Sequence, residues 1–253
     1  MIRLEDIFFF DLETTGIDPS TAGAVQIAYK SGDKQNDFIL NPGRPIAPGA
    51  SAVHGITEAM VQDLPGFASY AQELAGEMDG KYWCAYNGIT FDIPIIRRLF
   101  EEVGYQVPTC KGKLDPYKIF CHYEGNPTRR GTRTLMAAHI HYCGCEFDGA
   151  HDALSDIIAM VNVYEEQVRR YGFESFIEIG NRAELEIGYR SGFQFHHDDK
   201  LPIITFGKHA GKYLSEVPVD YLQWIVTGST CSPDCKKIAA AAIKGHFPVF
   251  RKN

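Results

Sequence analysis

A run of three phenylalanines that leads directly into two carboxylates constrains this chain more than any other feature of its sequence. The segment Phe8–Gly16 reads FFFDLETTG, so a buried strand would end in Asp11 and Glu13. Because alternate side chains of a strand share one face, the two acids would project together from its end. Like charges at one spot repel each other and lose hydration, which destabilises a fold unless a cation is bound. Hard oxygen ligands favour magnesium or manganese, so the pattern predicts a divalent-metal site.

The length and composition of the chain indicate a large hydrophobic core and room for a small second domain. Its 253 residues are 45% hydrophobic and 12% aromatic, which suffices for a packed core. The apolar patch Ile7–Phe10 is too short for a signal peptide or a membrane helix. We therefore expect a soluble, cytoplasmic protein with no membrane partner.

The cysteines give no sign of a disulfide framework. Seven of them are scattered along the chain, and the two close pairs are Cys143/Cys145 and Cys231/Cys235. Neither pair has partners at zinc-finger spacing, although His246 could join the second pair. Reduced structural thiols are the simpler interpretation, since no secretory signal is recognisable.

Charge is distributed unevenly along the chain. The net charge is −7, which is unusual for a protein that handles nucleic acid. Residues 200–253 carry eight Lys and Arg against three Asp and Glu, a net of +5, which leaves −12 for residues 1–199. A basic segment attached to an acidic body could contact a polyanion, but an ordinary solvated surface explains the same charges equally well.

Hydrophobic periodicity indicates an α/β fold with a mixed sheet. Strands are predicted at 6–13, 24–30, 36–40 and 81–87, and helices at 67–78, 91–103, 132–141 and 153–171. The segment 108–131 is predicted to be irregular. Strands come first, and strand and helix then alternate, which is typical of a mixed sheet. Residues 173–200 have weak periodicity and are predicted to be a linker.

Two further acidic positions lie where predicted elements meet. Asp92 ends the segment Tyr86–Asp92 at a strand-to-helix junction, and Asp156 lies at the start of a long apolar helix. An acid in the first turn of a helix is stabilised by the helix dipole, so each also has a purely structural explanation. Asp152 shares a helical face with Asp156, and spacing alone does not decide which of the two would bind a metal.

Hydrolysis of a phosphodiester bond requires this collection of side chains. Two metal ions held by three or four carboxylates can activate a water molecule and stabilise the leaving oxygen. A histidine that titrates near neutral pH can take the proton of the attacking water, and His151 lies just ahead of Asp156 for that role. A structural histidine with satisfied hydrogen bonds is the alternative for His151.

Four sequence blocks in a fixed order resemble the DEDDh superfamily of 3′→5′ exonucleases. They are FFFDLETTG, VHGIT at Val53–Thr57, YNGITFD at Tyr86–Asp92 and HDALSD at His151–Asp156. The resemblance implies an exonuclease domain over residues 1–172, with a ribonuclease H-like fold and a mixed sheet. Three residues instead of two separate Asn87 from Phe91, a version similar to exonuclease I, and this departure leaves the role of Asn87 open.

The resemblance also implies a role for each matched residue. Four carboxylates would bind two Mg²⁺ or Mn²⁺ ions: Asp11, Glu13, Asp92 and Asp156. Within this set Asp11 would bridge both ions, and Asp156 is favoured over Asp152. His151 would be the general base. Three side chains would bind the terminal nucleotide or shape its pocket: Thr14, His54 and Phe91.

The C-terminal residues carry a second resemblance. The sequence ITFGKHAGK at Ile204–Lys212, followed by LSEVP and DYLQWI, is similar to the small C-terminal domain of exonuclease X-like proteins. We therefore expect a small basic domain over residues 201–253. Its lysines, histidine and backbone N–H groups beside glycines could contact phosphates. Tyr221 and Trp224 could stack on bases, although a place in the core of the small domain is the simpler explanation for both.

The expected activity is metal-dependent 3′→5′ hydrolysis at DNA 3′ ends that releases mononucleotides. A ribonuclease of the same fold, acting on RNA 3′ ends or short oligoribonucleotides, is the main alternative, since one contact to a 2′-hydroxyl can decide between them. A proofreading partner of a polymerase is a third interpretation, but no linear motif in residues 173–200 obviously recruits one. A non-catalytic binding module is the least consistent with the sequence, because all four carboxylates and the histidine are present.

Overall fold

The computed structural model of the protein describes most of the chain in five segments. These are residues 2–124, 133–148, 153–183, 192–196 and 201–248. His151, predicted to be the general base, and its neighbour Asp152 lie outside the described residues. The chain divides into two units, Met1–Gly180 and Asn181–Asn253, and each has a hydrophobic core of its own.

A mixed sheet forms the centre of the first unit. Its strands are β1 Ile7–Thr14, β2 Ala24–Ser31, β3 Lys34–Ile39, β4 Lys81–Cys84 and β5 Cys110–Leu114. Within the described residues the strand order is β3-β2-β1-β4-β5. β2 is antiparallel to both β1 and β3, whereas β4 is parallel to β1 and to β5. β1 is therefore the central strand, which explains why each residue of its apolar run Ile7–Phe10 is at most 1% exposed.

Helices follow the strands in the first unit. In chain order they are α1 Pro48–His54, α2 Glu58–Val61, α3 Ala71–Met78, α4 Asp92–Glu102, α5 Pro116–Tyr123, α6 Leu135–Cys143, α7 Ala153–Tyr171 and α8 Phe173–Ala183. The long helix α7 buries its apolar side on β1, where the ring of Tyr164 meets Phe9 edge-on at 5.3 Å between centroids. This arrangement confirms the predicted α/β class with a mixed sheet. None of the described helices combines the length and the apolar character that a membrane span requires.

The second unit is small. It contains β6 Phe193–Phe195, paired antiparallel with β7 Pro202–Ile204, and the helices α9 Val219–Thr227 and α10 Pro233–Ile243. Short 3₁₀ turns occupy Gly207–His209 and Leu214–Glu216. Leu222 and Ile225 of α9 and Ile238 of α10 are buried in its core.

Two segments predicted to lack regular structure contain helices and strands. Residues 108–131, predicted to be irregular, contain β5 and α5. Residues 173–200, predicted to be a linker, begin with α8, and Phe176 and Ile179 of this helix are buried in the core of the first unit. The linker prediction is therefore wrong for residues 173–183. The apolar residues Phe173, Phe176 and Ile177 recur at helical spacing, so the signal for this helix was present in the sequence and was missed.

Several predicted boundaries also differ from the structure. The strand predicted at 81–87 ends at Cys84, because Asn87 adopts a left-handed conformation (φ 59°) in the turn that follows. The helix predicted at 67–78 begins with a 3₁₀ turn, and its α-helical part is α3. α6 begins only after Thr134, whose hydroxyl caps it by accepting a hydrogen bond from Ala137 N (3.1 Å). The predicted helix 153–171 is confirmed as α7.

Candidate functional site

The end of β1 presents two of the predicted metal ligands on one face. Asp11 and Glu13 are half-buried, whereas the residues between and beside them are buried. Ile7 and Phe9 share this alternate face and belong to the hydrophobic cluster that includes residues of α7. Both acids therefore project on the side of the sheet where α7 lies.

The first turn of α7 brings Asp156 to Glu13. From the contact of Phe9 with Tyr164, β1 advances about 13 Å to Glu13 at a strand rise of about 3.3 Å per residue. In the opposite chain direction, α7 covers about 12 Å from Tyr164 back to Asp156 at 1.5 Å per residue. The two carboxylates are close enough for the charge of Asp156 to raise the pKa of Glu13. The first turn of α7 thus places Asp156 at the end of β1.

Asp92 reaches the same place from the start of α4. The pairing of β4 with β1 ends where Cys84 lies opposite Phe9, so β1 continues without this neighbour. Beyond that point the backbone N–H of Leu12 donates to Asp92 Oδ1 at 3.2 Å. Asp92 is 4% exposed, and its charge faces that of Asp11. A carboxylate at a helix N-terminus is also favoured by the helix dipole.

A buried acid that the sequence analysis missed fixes the turn before Asp92. Asp115, 2% exposed, accepts hydrogen bonds from the backbone N–H groups of Asn87 (2.8 Å) and Ile89 (3.3 Å). The turn is tight, because a Cβ on Gly88 would lie 2.2 Å from that of Ala85. Asp115 also caps α5, in which proline occupies the first turn. This Asp-Pro pair was a recognisable helix-start signal in the sequence.

The four carboxylates form two pairs with perturbed acidity. Burial and the nearby charge of Asp156 raise the pKa of Glu13 to about 7. Burial and the charge of Asp11 raise the pKa of Asp92 well above its usual range. No Lys or Arg side chain of the described residues forms an ion pair with Glu13 or Asp92. Each pair is therefore electrostatically unfavourable at neutral pH in the absence of a cation.

A divalent cation fits this set of donors. The site offers carboxylate oxygens, which are hard ligands of the kind that magnesium and manganese prefer. Among the described residues, no three His, Cys, Asp or Glu side chains are drawn together into one compact ligand cluster. The structure thus brings the four predicted ligands to one strand end as two pairs, Asp11 with Asp92 and Glu13 with Asp156.

The chain after β1 is held by the predicted nucleotide-binding residue His54. The Nδ1 atom of His54 accepts a hydrogen bond from Ile56 N (3.0 Å), so the proton of the neutral ring is on Nε2. That Nε2 atom lies 3.2 Å from the backbone oxygen of Thr14 and donates to it. The hydroxyl of Thr14 in turn donates to Gly16 O at 2.8 Å. His54 and Thr14, both predicted to bind the terminal nucleotide, are therefore in direct contact.

Phe91, the remaining residue predicted to shape the nucleotide pocket, and Ile17 differ in exposure. Phe91 is half-buried and immediately precedes α4, so it lies next to Asp92. Ile17, which the sequence analysis did not single out, is 95% exposed just after the Thr14–Gly16 segment.

Comparison with known proteins identifies the family. The family profile described as Exonuclease, of the RNase T type, matches residues 8–164, more than half of the chain. The chain belongs to the exonuclease family. The matched range contains all of the predicted metal ligands and the predicted general base, and the resemblance to DEDDh exonucleases is confirmed.

Curated proteins similar to this chain cover it to different extents. The DNA polymerase III subunit epsilon-like protein of Rhodobacter capsulatus is 30% identical over 61% of this chain, which spans only 22% of that protein. Protein NEN4 of Arabidopsis thaliana is 27% identical, and the chain spans 62% of it. Exodeoxyribonuclease 10 of Escherichia coli K12 is 25% identical over 89% of this chain and 93% of its own length. Of these three proteins, exodeoxyribonuclease 10 alone is similar over most of both chains, and this similarity includes residues of the second unit.

Solved structures of exonucleases share the fold. Exonuclease X in complex with 5′ overhanging duplex DNA superimposes with a TM-score of 0.52 at 20% identity, over 69% of this chain and 99% of the other. The zinc-bound form of E. coli exonuclease I with single-stranded DNA gives 0.55 at 17% identity, over 88% of this chain and 59% of the other. The predicted ribonuclease H-like exonuclease fold is therefore confirmed.

Proposed function

We propose that this chain is a metal-dependent 3′→5′ exonuclease that hydrolyses phosphodiester bonds at DNA 3′ ends and releases mononucleotides. The observation that carries the proposal is the meeting of carboxylates from three elements at the end of β1. Asp11 and Glu13 come from the strand, Asp92 from α4 and Asp156 from α7. Family membership supports the reaction class, since the matched family consists of exonucleases.

The four carboxylates would hold two divalent cations, Mg²⁺ or Mn²⁺. Bound cations of this kind stabilise negative charge on a phosphodiester undergoing hydrolysis and acidify an attacking water. The protein contributes the spacing of the ligands, which the sheet and two helices fix independently of the substrate. Because the pKa values of Glu13 and Asp92 are raised, binding of a cation would displace protons from these carboxyl groups and would strengthen as the pH rises.

The other predicted residues would bind substrate and move a proton. His54 and Thr14 would hold the terminal nucleotide, with the loop after β1 fixed by the hydrogen bond between them. Phe91 would pack beside that nucleotide. His151, five residues before Asp156 in the chain, would accept the proton of the attacking water.

DNA is the favoured polymer because a relative that matches nearly end to end is named for it. Exodeoxyribonuclease 10 carries a name that specifies deoxyribonucleic acid, and this chain spans 93% of it. The DNA in the exonuclease X complex agrees with the same choice. RNA is the alternative outcome of the test, because the two substrates differ mainly by the 2′-hydroxyl.

Digestion of end-labelled oligonucleotides tests the proposal. DNA and RNA, single- and double-stranded and labelled either at the 5′ end or on the 3′-terminal nucleotide, would be incubated with Mg²⁺, Mn²⁺ or EDTA. We expect a ladder that shortens from the 3′ end on DNA, with mononucleotide product and no cleavage in EDTA. Faster cleavage of RNA than of DNA would mean that RNA is the substrate. Cleavage that persists in EDTA would refute the metal assignment.

Three variants test the residue assignments in the same assay. Asp11→Ala should lower the rate by several orders of magnitude with an unchanged circular dichroism spectrum. Asp33→Ala is the matched control, because it removes one carboxylate from the exposed turn between β2 and β3 and should retain the wild-type rate. His151→Ala should slow the chemical step strongly. If His151→Ala changed only substrate affinity, its role as general base would be wrong.

A further inference from the structure

A surface of the second unit combines two exposed lysines with an exposed tryptophan. The turn after β7 and the first half of α9 form it, and we call it the basic–aromatic surface. Its members are Lys208, His209, Lys212, Tyr221 and Trp224. All five belong to the second unit, whereas the carboxylates of the proposed active site belong to the first.

Backbone hydrogen bonds fix the turn that carries the lysines. Gly211 N donates to Ile204 O (2.7 Å), and Ile204 N donates to Lys212 O (3.0 Å), so the turn closes on the end of β7. Within it, Lys212 N donates to His209 O at 3.0 Å. The two lysine side chains therefore start from a backbone that is ordered before any ligand binds, which lowers the entropy cost of binding.

Tyr221 joins the turn to α9. Its ring is 9% exposed and meets the ring of His209 edge-on at 4.6 Å between centroids. Lys208 Nζ lies 5.3 Å from the centre of the same ring. Gly207, with φ 67°, leaves the space that the tyrosine hydroxyl needs, since a Cβ there would lie 2.0 Å from that oxygen. Tyr221 is thus a core residue that positions its neighbours, as the simpler explanation predicted.

Trp224 does not share the core role predicted for it. Its side chain is 48% exposed and lies beside Tyr221, with 5.2 Å between the ring centroids. Leu222 and Ile225 on either side are 2% and 0% exposed, so the core of the unit is filled without the indole. No packing role for this exposed tryptophan is found within the described part of the second unit, and its flat ring is available for stacking.

Positive charge on the surface comes from the lysines and not from the histidine. Burial, Lys208 and Lys212 lower the pKa of His209, in that order, although Asp220 opposes them. Both lysines are therefore near one imidazole, which stays neutral at physiological pH. Neither lysine forms an ion pair within the described residues, and the carboxylate of Asp220 accepts from Tyr221 N at 2.8 Å. Among the described residues, the surface thus carries two lysines without an ion-pair partner beside a stacking ring.

We propose that the basic–aromatic surface is a second nucleic-acid-binding site, which binds single strands by contacts of Lys208 and Lys212 with phosphates and by stacking of Trp224 on a base. An unstacked base is required for the ring contact, so a single strand fits the surface better than a duplex does. The site lies in the second unit and does not need the carboxylates, so it does not rest on the proposed hydrolysis.

Binding of a labelled oligonucleotide to the full chain tests this site. The probe is fluorescein-labelled oligo(dT) in EDTA, measured by anisotropy between 50 and roughly 300 mM NaCl, a range over which phosphate contacts weaken visibly. Lys208→Ala/Lys212→Ala should weaken binding and reduce the slope of log K against log[salt] by about 1.4, since each phosphate contact to a single strand contributes about 0.7. Trp224→Ala should weaken binding about tenfold at one salt concentration with the slope unchanged.

Matched variants separate specific contacts from a general charge effect. Lys237→Ala/Lys244→Ala removes two positive charges from α10 and its C-terminal end and should leave both affinity and slope near wild type. Trp224→Phe keeps an aromatic ring and should recover most of the affinity lost in Trp224→Ala. Equal effects of the two double-lysine variants, or wild-type binding by Trp224→Ala, would overturn the proposal.

Two further measurements tie the result to this surface. With blunt duplex DNA as the probe, Trp224→Ala should bind like the wild type, and an equal loss on the duplex would rule out base stacking. Asp11→Ala, which should abolish hydrolysis, should bind oligo(dT) with the wild-type salt slope. A protein that failed to hydrolyse DNA but showed the predicted lysine and tryptophan dependences would contradict the proposed function and support the second site.

Discussion

Asp92 and Leu12 lie 80 positions apart in the chain, yet the backbone N–H of Leu12 donates a hydrogen bond to Asp92 Oδ1 at 3.2 Å. β1 extends past the end of its pairing with β4 at this point, so a carboxylate serves as acceptor where no neighbouring strand does. The same carboxyl group faces Asp11. One side chain therefore both completes the hydrogen bonding of the central strand and contributes to the proposed metal site.

Substitution of Asp92 by asparagine and by alanine separates these two roles. Both variants should retain about a hundredth of the wild-type exonuclease rate or less, because neither supplies a carboxylate. In urea denaturation with EDTA, Asp92→Ala should be less stable than Asp92→Asn by about 1–3 kcal/mol, since only asparagine leaves an acceptor for the buried Leu12 N–H. Equal stability of the two variants would contradict the structural role.

The raised pKa of Glu13 predicts how the metal-free protein responds to pH. The pKa rises from an ordinary 4.5 to about 7 on folding, so between these values the folded chain keeps a proton that the unfolded chain releases. Folding takes up a proton there, and the contribution of Glu13 to stability is lost as the pH rises through this range. In EDTA, Glu13→Gln should therefore gain melting temperature relative to wild type between pH 5 and pH 8.

The comparison with Glu13→Gln is needed because other acids act in the opposite direction. Hydrogen bonds from Tyr29 and Thr109 lower the pKa values of Glu73 and Asp79, so these groups stabilise the fold as pH rises. Glu73 and Asp79 are present in both proteins, so their contributions cancel in the difference between the melting temperatures of Glu13→Gln and wild type. Addition of Mg²⁺ at pH 8 should raise the melting temperature of wild type more than that of Glu13→Gln. A variant curve parallel to wild type in EDTA would show that Glu13 ionises normally.

The sequence predicted those elements whose residue pattern is compatible with a single type of secondary structure. The run Phe8–Phe10 fits only a buried strand, and the periodicity of residues 153–171 fits only a long helix, which is α7. β5 was missed because it reads CKGKL, and only Leu114 of its residues is buried. α8 was missed although Phe173, Phe176 and Ile177 recur at helical spacing, so this helix was predictable from the sequence.

The candidate site was predicted in its residues but not in its arrangement. The motifs located Asp11, Glu13, Asp92 and Asp156, which the structure brings to one strand end. Nothing in local spacing could show that they pair as Asp11 with Asp92 and Glu13 with Asp156, because that depends on the packing of α4 and α7. Asp115 was not predicted for the same reason, since the amides that it binds belong to another loop.

Asp115 should act on catalysis through the position of Asp92. Its loss leaves the backbone N–H groups of Asn87 and Ile89 without their acceptor, which should loosen the turn that leads into α4. We expect Asp115→Ala to lower kcat about 10- to 100-fold and to weaken Mn²⁺ binding, as loss of a group that orients a metal ligand does. Isothermal titration with Mn²⁺ measures the second effect.

A control for Asp115 lies at the opposite end of β4. Asp79, two residues before the strand, accepts a hydrogen bond from Thr109 N at 2.8 Å and so also orders a turn. Asp79→Ala should reduce stability without a change in Mn²⁺ affinity. If Asp115→Ala and Asp79→Ala had the same effect on stability and both bound Mn²⁺ like the wild type, Asp115 would have a structural role alone.

His54 should affect substrate binding more than the chemical step. Its ring accepts from Ile56 N through Nδ1 and donates to Thr14 O through Nε2, so it fixes the backbone directly after Glu13. We expect His54→Ala to raise KM for a DNA 3′ end about tenfold while kcat stays within about threefold of wild type, the pattern of a lost binding interaction. His54→Gln, whose amide can both donate and accept, should recover part of the loss. A fall in kcat with KM unchanged would instead mean that His54 acts on the carboxylates, because the loop it holds begins one residue after Glu13.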